Sequence, residues 1–300
     1  MEQTGIKKRY EELKDLIRKY NEHYYEKNES LVTDYEYDML LKEMESIEKD
    51  YPELKDTVSV TEKVGGRASG KFSKVVHKVP MLSLSNTYNI GEIEDFDKRI
   101  KKVIGEDQKI EYVLELKLDG LSISIQYENG QLVRGITRGD GEIGEDVTEN
   151  IMQIDSIPQI LKEPVTLEVR GEIVLPISNF NKVNKMREEA GEDVFANPRN
   201  AASGTIRQLE SSIVKDRGLD CYLYFLVNAQ NYNLEKHSES VKYLEKLGFK
   251  TTKVFEIYDD FEKLEKSIEK WHEEREKLDF ETDGLVIKLD EFRYYDELGS

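Results

Sequence analysis

The chain has one cysteine among its 300 residues, Cys221. This excludes an intramolecular disulfide and a multi-cysteine zinc site, and makes a reducing compartment, the cytoplasm, the expected setting. Long apolar runs are missing too. The longest, Cys221 to Val227, falls far short of the roughly 20 residues that span a bilayer. The N-terminus, MEQTGIKKRYEELKDLIRKY, alternates charged with apolar residues where a signal peptide would be continuously apolar. Positive charge is in deficit: 44 Lys and Arg against 62 Asp and Glu leave a formal charge of −18. That balance favours solubility and opposes binding to phosphate backbones or anionic lipid, so neither a free-standing nucleic-acid binder nor a membrane protein is expected. What is present suffices for a folded core, with 38% hydrophobic residues and 9% aromatic against 35% charged.

Two helices open the chain. Ile6, Tyr10, Leu13, Ile17, Tyr20 and Tyr24 recur every three or four residues, which predicts an amphipathic helix from Ile6 to about Tyr25. Thr33 with Glu36 makes a capping box for a second, whose stripe is Tyr37, Leu40, Leu41, Met44 and Ile47 and whose stop is Tyr51-Pro52. The Gly-, Ser- and Lys-rich stretch from Glu62 to Lys74 lacks periodicity, and the domain boundary is placed there. Beyond it, β-rich segments stand at Glu111–Leu118, Leu121–Tyr127, Leu132–Arg138, Val165–Leu175, Asp220–Val227 and Gly284–Leu289. Helical patterns separate them: Ile93 to Val103, Phe180 to Met186 ending at Gly191, and Leu264 to Leu278. Asn129-Gly130 between two strands predicts a hairpin turn, so part of the sheet is antiparallel. The expected fold class is α+β, with a small N-terminal helical module and mainly antiparallel sheets flanked by helices.

Two glycine-rich stretches imitate nucleotide motifs. Residues 65–71 have P-loop spacing, but Phe72 stands where a magnesium-binding Ser or Thr is required, and no strand precedes them. Gly139-Asp140-Gly141-Glu142-Ile143-Gly144 spells G-x-G-x-x-G, yet its acidic neighbours make a poor pyrophosphate cradle. Either it is a plain turn or it presents Arg138 to a ligand.

The segment Glu111 to Gly120 carries more chemistry. Alternate residues of a strand share a face, so Leu114, Leu116 and Leu118 point to a core while Glu115, Lys117 and Asp119 point together to the other side. Lys117 is thus placed between two carboxylates. It is either a surface ion-pair residue or a nucleophile whose neutral amine needs burial or other cations nearby. Two more strands carry charged faces: Glu168, Arg170 and Glu172 on one, Asp283 and Lys288 on the other. With Arg199 and Arg207 in FANPRNAASGTIRQL these could build a pocket for a phosphorylated nucleotide; the small residues Ala201–Gly204 there could equally pack a tight loop.

These residues stand in a recognisable order. Lys117-Leu118-Asp119-Gly120 resembles the K-x-D-G motif of covalent nucleotidyltransferases, and it is accompanied by HKVPMLSLSN (His77–Asn86), TRGDGEIGEDVTENI (Thr137–Ile151), LEVRGE (Leu167–Glu172), NPRNAASGTIRQL (Asn197–Leu209) and DGLVIK (Asp283–Lys288). Almost end to end, the chain resembles the N-terminal adenylation fragment of bacterial NAD-dependent DNA ligases, enzymes of DNA replication and repair. The resemblance implies roles. Lys117 would attack the adenylyl phosphorus of NAD to form lysyl-AMP and release nicotinamide mononucleotide. Asp119, Asp283 and Lys288 would serve the catalytic step. Ser83, Leu84 and Leu118 would line the adenosine site, Glu115 would read the adenine amino group, and Tyr224 and Val286 would sandwich the base. Glu172 would hold ribose hydroxyls, Arg138 would contact phosphates or ribose, and Arg199 and Arg207 would lie near phosphates and nicked DNA. Lys288 would counter Glu115 and Asp119. Magnesium would shield the phosphate oxygens, with no metal held by protein ligands alone. Tyr24, Tyr25, Asp34, Tyr37 and Asp38 match the family's nicotinamide-mononucleotide site, with aromatic rings facing the pyridinium; Tyr24 and Tyr37 also fit a helix–helix core.

The implied organisation is residues 1–65 as the nicotinamide-mononucleotide-binding module and 66–300 as the nucleotidyltransferase domain, a hinge being expected near Gly65–Gly70. The family's OB, zinc, helix-hairpin-helix and BRCT parts find no match. The expectation is a monomeric fragment competent for self-adenylation, with weak or no DNA binding. Two other functions fit Lys117 alone: a Schiff-base enzyme and a non-catalytic NAD-binding module.

Overall fold

Apolar spacing becomes buried surface along most of the chain. The computed structural model describes residues 2–21, 23, 31–54, 72–252 and 254–299. Tyr24, Tyr25, the expected hinge and the 65/66 boundary lie outside these. The described residues fall into two compact units, Met1–Ser83 with Arg138–Asp146, and Leu84–Thr137 with Val147–Ser300.

In the first unit, α1 (Glu2–Asn21) and α2 (Asp34–Asp50) bury Tyr10, Leu13, Ile17 and Met44 against one another, with Tyr37, Leu40, Leu41 and Ile47 packed alongside. Each such side chain contributes about 1.5–3 kcal/mol. The capping box forms as expected: Glu36 N–H donates to the Thr33 side chain, while the Glu36 carboxylate accepts from Thr33 N–H. The Arg9 guanidinium reaches Glu43 through two bonds of 2.7 and 2.8 Å. The same unit contains β1 (Lys74–Val76), paired antiparallel with β5 (Ile143–Glu145).

The second unit begins with α3 (Ile90–Ile104), then β2 (Tyr112–Leu118), β3 (Leu121–Glu128) and β4 (Gln131–Thr137), followed by the short α4 (Thr148–Ile151) and β6 (Leu167–Val174). Helices α5 (Ile177–Glu189), α6 (Pro198–Ile206) and α7 (Ser212–Arg217) lead to β7 (Asp220–Leu226). The chain closes with α8 (His237–Leu247), β8 (Phe255–Tyr258), α9 (Phe261–Glu274), β9 (Thr282–Leu289) and α10 (Tyr295–Leu298). Two antiparallel sheets result, one in the order β8-β2-β9 and one in the order β4-β3-β6-β7. Tyr112, Leu114 and Leu289 pack with Ile100 and Leu264 beneath the first sheet. Cys221 is fully buried in β7, opposite Ile173.

Two expectations need correction. The Ala201–Gly204 stretch is helical: Asn197 accepts the Asn200 N–H as an N-cap, Pro198 occupies the first turn, and the small residues let α6 sit buried. Met186, expected on the buried stripe of α5, is exposed, and Val183 is the buried residue of that helix. No helix among the described residues is long and apolar enough to cross a membrane.

Candidate active site

The site begins with the alternation of β2. Val113, Glu115 and Lys117 share a face with Lys288, Val286 and Gly284 of β9, their register partners, while the leucines of both strands turn to the opposite side. Just past Lys117 the ladder shifts register, and the chain turns back at Gly120. A Cβ at Gly120 would lie 2.2 Å from the Ile173 carbonyl oxygen, so the motif's glycine is dictated by the close approach of β6.

Lys117 does not pair with the carboxylates that flank it in sequence. Its Nζ lies 2.5 Å from Asp283 Oδ2, and its side chain keeps 39% of its surface exposed. Asp119, beyond the end of β2, accepts from Arg199 Nη1 at 3.0 Å. Glu115 is 6% exposed and joins Lys288 Nζ at 2.5 Å through Oε2. The expectation of a lysine held between Glu115 and Asp119, with Lys288 answering both, is therefore corrected: each acid has its own cation, Lys288 for one and Arg199 for the other. Lys117 is the accessible amine of the group, in an exposed pair of the kind worth about 0–1 kcal/mol.

Glu115 also accepts from His237 Nε2 at 2.8 Å. Burial pushes its carboxyl up, but Lys288 and His237 outweigh that and bring it to about 2. No sequence pattern singled out His237. Its helix leaves a trace in Val241, Leu244 and Leu247 before Gly248, but nothing in that spacing marks the histidine at its start.

A second set comes from the four-stranded sheet. Ser122 Oγ donates to Glu172 Oε2 at 2.8 Å, Ser124 Oγ donates to Glu168 Oε1 at 2.7 Å, and the Tyr224 hydroxyl lies 3.5 Å from Glu172 Oε2. The two charged faces converge: Lys288 Nζ sits 5.3 Å from the centre of the Tyr224 ring, and Arg199 and Lys117 act on Glu172. Burial nevertheless dominates there and raises the Glu172 carboxyl to about 7. A carboxyl raised in the fold loses its proton first in the unfolded chain, so stability falls as pH climbs from about 4.5 through 7. Glu172→Gln should flatten that decline by about 1–3 kcal/mol. Urea unfolding of both proteins at pH 5 and pH 8 checks this; equal losses would contradict it.

The remaining expected residues are placed as follows. Leu118 buries its side chain in a cluster with Leu116, Val174 and Val254, on the face away from Lys117. Val286 stands opposite Glu115 on the shared face. Arg207 Nη1 donates to Ser203 Oγ at 2.8 Å. The buried Asn150 amide donates to the carbonyls of Ile206 and Gln208, at 2.6 and 2.8 Å, clamping the peptides on either side of Arg207. Leu84, also in the second unit, is exposed.

Ser83, Tyr37, Asp38, Asp34 and Arg138 belong to the first unit. The Tyr37 hydroxyl donates to Asn21 Oδ1 at 2.7 Å, so this ring is tied into the helix pair. The glycine-rich stretch is a turn: Gly139 has φ 59°, and Asp140 Oδ1 accepts from the backbone N–H of Glu142 and Ile143. Met81 N–H donates to Gly141 O, and His77 Nε2 lies 3.2 Å from Arg138 O. That turn holds Arg138 with its Nε buried and without a hydrogen-bond partner among the described residues.

A family model described as the NAD-dependent DNA ligase adenylation domain matches residues 69–300. One described as a DNA ligase-like, N-terminal NAD+-binding domain matches residues 3–65. A protein named DNA ligase from Fusobacterium nucleatum is 56% identical over 96% of this chain and 41% of its own length. DNA ligases from Thermosipho africanus (47% identical, covering 100% of this chain and 45% of the relative) and Clostridioides difficile (43%, covering 98% and 44%) are similar to it as well. The chain spans less than half the length of these relatives.

Proposed function

The chain belongs to the NAD-dependent DNA ligase family, matching its adenylation domain, and on that premise we propose that it transfers adenylate from NAD to its own Lys117. The observation that carries this reading is the division of labour among the charges: Glu115 and Asp119 are bound to Lys288 and Arg199, which leaves Lys117 exposed beside Asp283.

The amine of Lys117 attacks the adenylyl phosphorus. A P–N bond forms, the P–O bond to the second phosphate breaks, and nicotinamide mononucleotide leaves with that oxygen. The ammonium of the Lys117–Asp283 pair first passes one proton through Asp283 to solvent, which frees the lone pair for attack, and the second proton leaves by the same route once the P–N bond has formed. Glu115 takes the adenine amino group, Tyr224 and Val286 flank the base, Leu118 contributes its backbone, and Glu172 holds the ribose. Arg199 and Arg207 meet phosphate charge, and Ser83, Leu84 and Arg138 complete the adenosine and phosphate contacts. Tyr24, Tyr25, Asp34, Tyr37 and Asp38 take the nicotinamide mononucleotide half, in a module of residues 1–65 that precedes the nucleotidyltransferase domain.

Magnesium fits as a guest of the phosphates. Among the described residues no group of three His, Cys, Asp or Glu could hold a metal unaided. Asp119, through the oxygen not bonded to Arg199, and Glu281 would be the carboxylates nearest to hand for it; the Glu281 carboxyl is pushed up by burial and by the Asp119 charge, a repulsion a divalent cation would relieve. When bound, the ion neutralises charge on the phosphate oxygens. The adenylate is destined for the 5′-phosphate of nicked DNA in the complete enzyme; a charge of −18 argues for weak DNA affinity of these 300 residues by themselves. We place the protein in the cytoplasm, as a monomer.

Intact mass after incubation with NAD and magnesium tests the reading, with ATP as the control. One added adenylyl group from NAD and none from ATP is expected. Tight NAD binding with no covalent product would instead make the chain a cofactor-binding module.

A further inference from the structure

His237 is fully buried, and its ring is boxed by Phe225, Phe255 and Phe292, with centroids 5.9–6.4 Å away. Its backbone is fixed as firmly. His237 N–H donates to Asp290 O at 2.7 Å, the Asp290 carboxylate accepts from both the N–H and the hydroxyl of Ser238, and Ser240 Oγ donates to His237 O. The ring can neither rotate freely nor reach water. One nitrogen, Nε2, faces Glu115 Oε1 at 2.8 Å, with Lys288 Nζ 3.3 Å away on the same side; the other, Nδ1, has no hydrogen-bond partner among the described residues.

That pattern fixes the tautomer. Lys288 could donate to a bare Nε2, but its shorter contact is to Glu115 Oε2, and a bare nitrogen against the nearer Glu115 Oε1 would set two lone pairs face to face, so Nε2 carries the hydrogen. A second N–H at Nδ1 would be a buried donor with no acceptor, which costs more than the bare nitrogen that a neutral ring leaves there. Burial and the Lys288 charge both act against the imidazolium. A neutral Nε2–H donor therefore holds one carboxylate oxygen of Glu115 while Lys288 holds the other. A carboxylate offers about four lone-pair positions, so each oxygen keeps one for a ligand.

We propose that His237 is a positioning residue for purine selection: its Nε2–H orients the Glu115 carboxylate so that the remaining lone pairs meet the 6-amino group of adenine and repel a 6-oxo purine. This rests on the reading of Glu115 as the adenine acceptor. Lys288 alone leaves the carboxylate free to pivot about a single flexible contact, and the dry aromatic box gives the histidine bond a strength it would lack in water. Selection follows because a site built to accept an N–H penalises a ligand that brings a carbonyl oxygen instead.

The test is equilibrium binding of NAD and of nicotinamide hypoxanthine dinucleotide to the 300-residue chain, by calorimetry. Wild type should prefer NAD by about 100-fold or more. His237→Phe, which fits the phenylalanine box but donates nothing, should bring the preference below about 10-fold. His237→Gln, whose amide can occupy the Nε2 position, should restore most of it. If the Phe variant does not fold, as judged by thermal unfolding, His237→Asn replaces it, since its shorter amide cannot reach Glu115. A role in stability alone would weaken both dinucleotides alike and leave the ratio intact, and an unchanged ratio in the Phe or Asn variant overturns the proposal. A wild-type ratio near one, or no binding of either dinucleotide, removes the Glu115 reading and this inference with it.

Discussion

Lys117→Ala should remove all covalent adenylate from the chain while leaving NAD binding within about tenfold of wild type, the exposed Asp283 pair being worth about 0–1 kcal/mol. The amine is the atom to which phosphorus would be joined, and no neighbour can stand in for it. Lys288 is committed to Glu115, and Arg199 is a guanidinium, which stays protonated and is a poor nucleophile. For the same reason the fold should hardly notice the change: thermal unfolding is expected to move by the equivalent of about 1 kcal/mol or less. Intact mass, calorimetric NAD binding and a melting curve decide the matter together. Adenylate that persists in the alanine variant would place the nucleophile elsewhere.

Lys288→Met should be far more damaging to the fold, at about 3–5 kcal/mol, because it leaves the buried Glu115 carboxylate without its cation and with only the neutral His237 N–H to answer its charge. The pH dependence carries the signature. In the wild type Glu115 is held at about 2, below the ordinary 4.5. Its pairing thus stabilises the fold fully above pH 4.5 and is lost as pH falls towards 2. Without Lys288 the burial penalty dominates, the carboxyl rises above its ordinary value, and stability falls as pH increases through the weakly acidic range. The slope contributed by this group changes sign. Adding Glu115→Gln to Lys288→Met should recover most of the loss, since a neutral amide has no charge to strand. Urea unfolding of the three proteins from pH 4 to pH 8 checks both statements. A double variant no more stable than the single one would show that the Lys288 stem, and not the ion pair, carries the effect.

Legibility from sequence followed the range of the interactions involved. Helix α1, the capping box of α2 and the alternation of β2, β3, β6 and β9 come from local periodicity, and the structure keeps them with ends moved by a few residues. The pairing of charges did not read out, because it is set across strands. Glu115 and Asp119 neighbour Lys117 in the chain, yet the partner of Lys117 comes from 166 residues away. Helix α6 was obscured by its small residues, which carry no apolar stripe and are selected by close packing. His237 was hidden for a related reason: a buried polar ring is justified by its partner, and that partner lies 122 residues back along the chain.

The solitary thiol of Cys221 has a practical side. It is fully buried between strands, and burial together with the Asp220 charge pushes its ionisation well above the ordinary range. Thiol reagents attack the thiolate and need access, so the native protein should be close to inert towards maleimides and disulfide probes. The chain is in effect a blank background for site-directed labelling. A cysteine introduced on any exposed helix face of either unit would take a dye or spin label alone, without first mutating the core to remove a competitor. Two such labels, one per unit, would let the distance between them be measured with and without NAD.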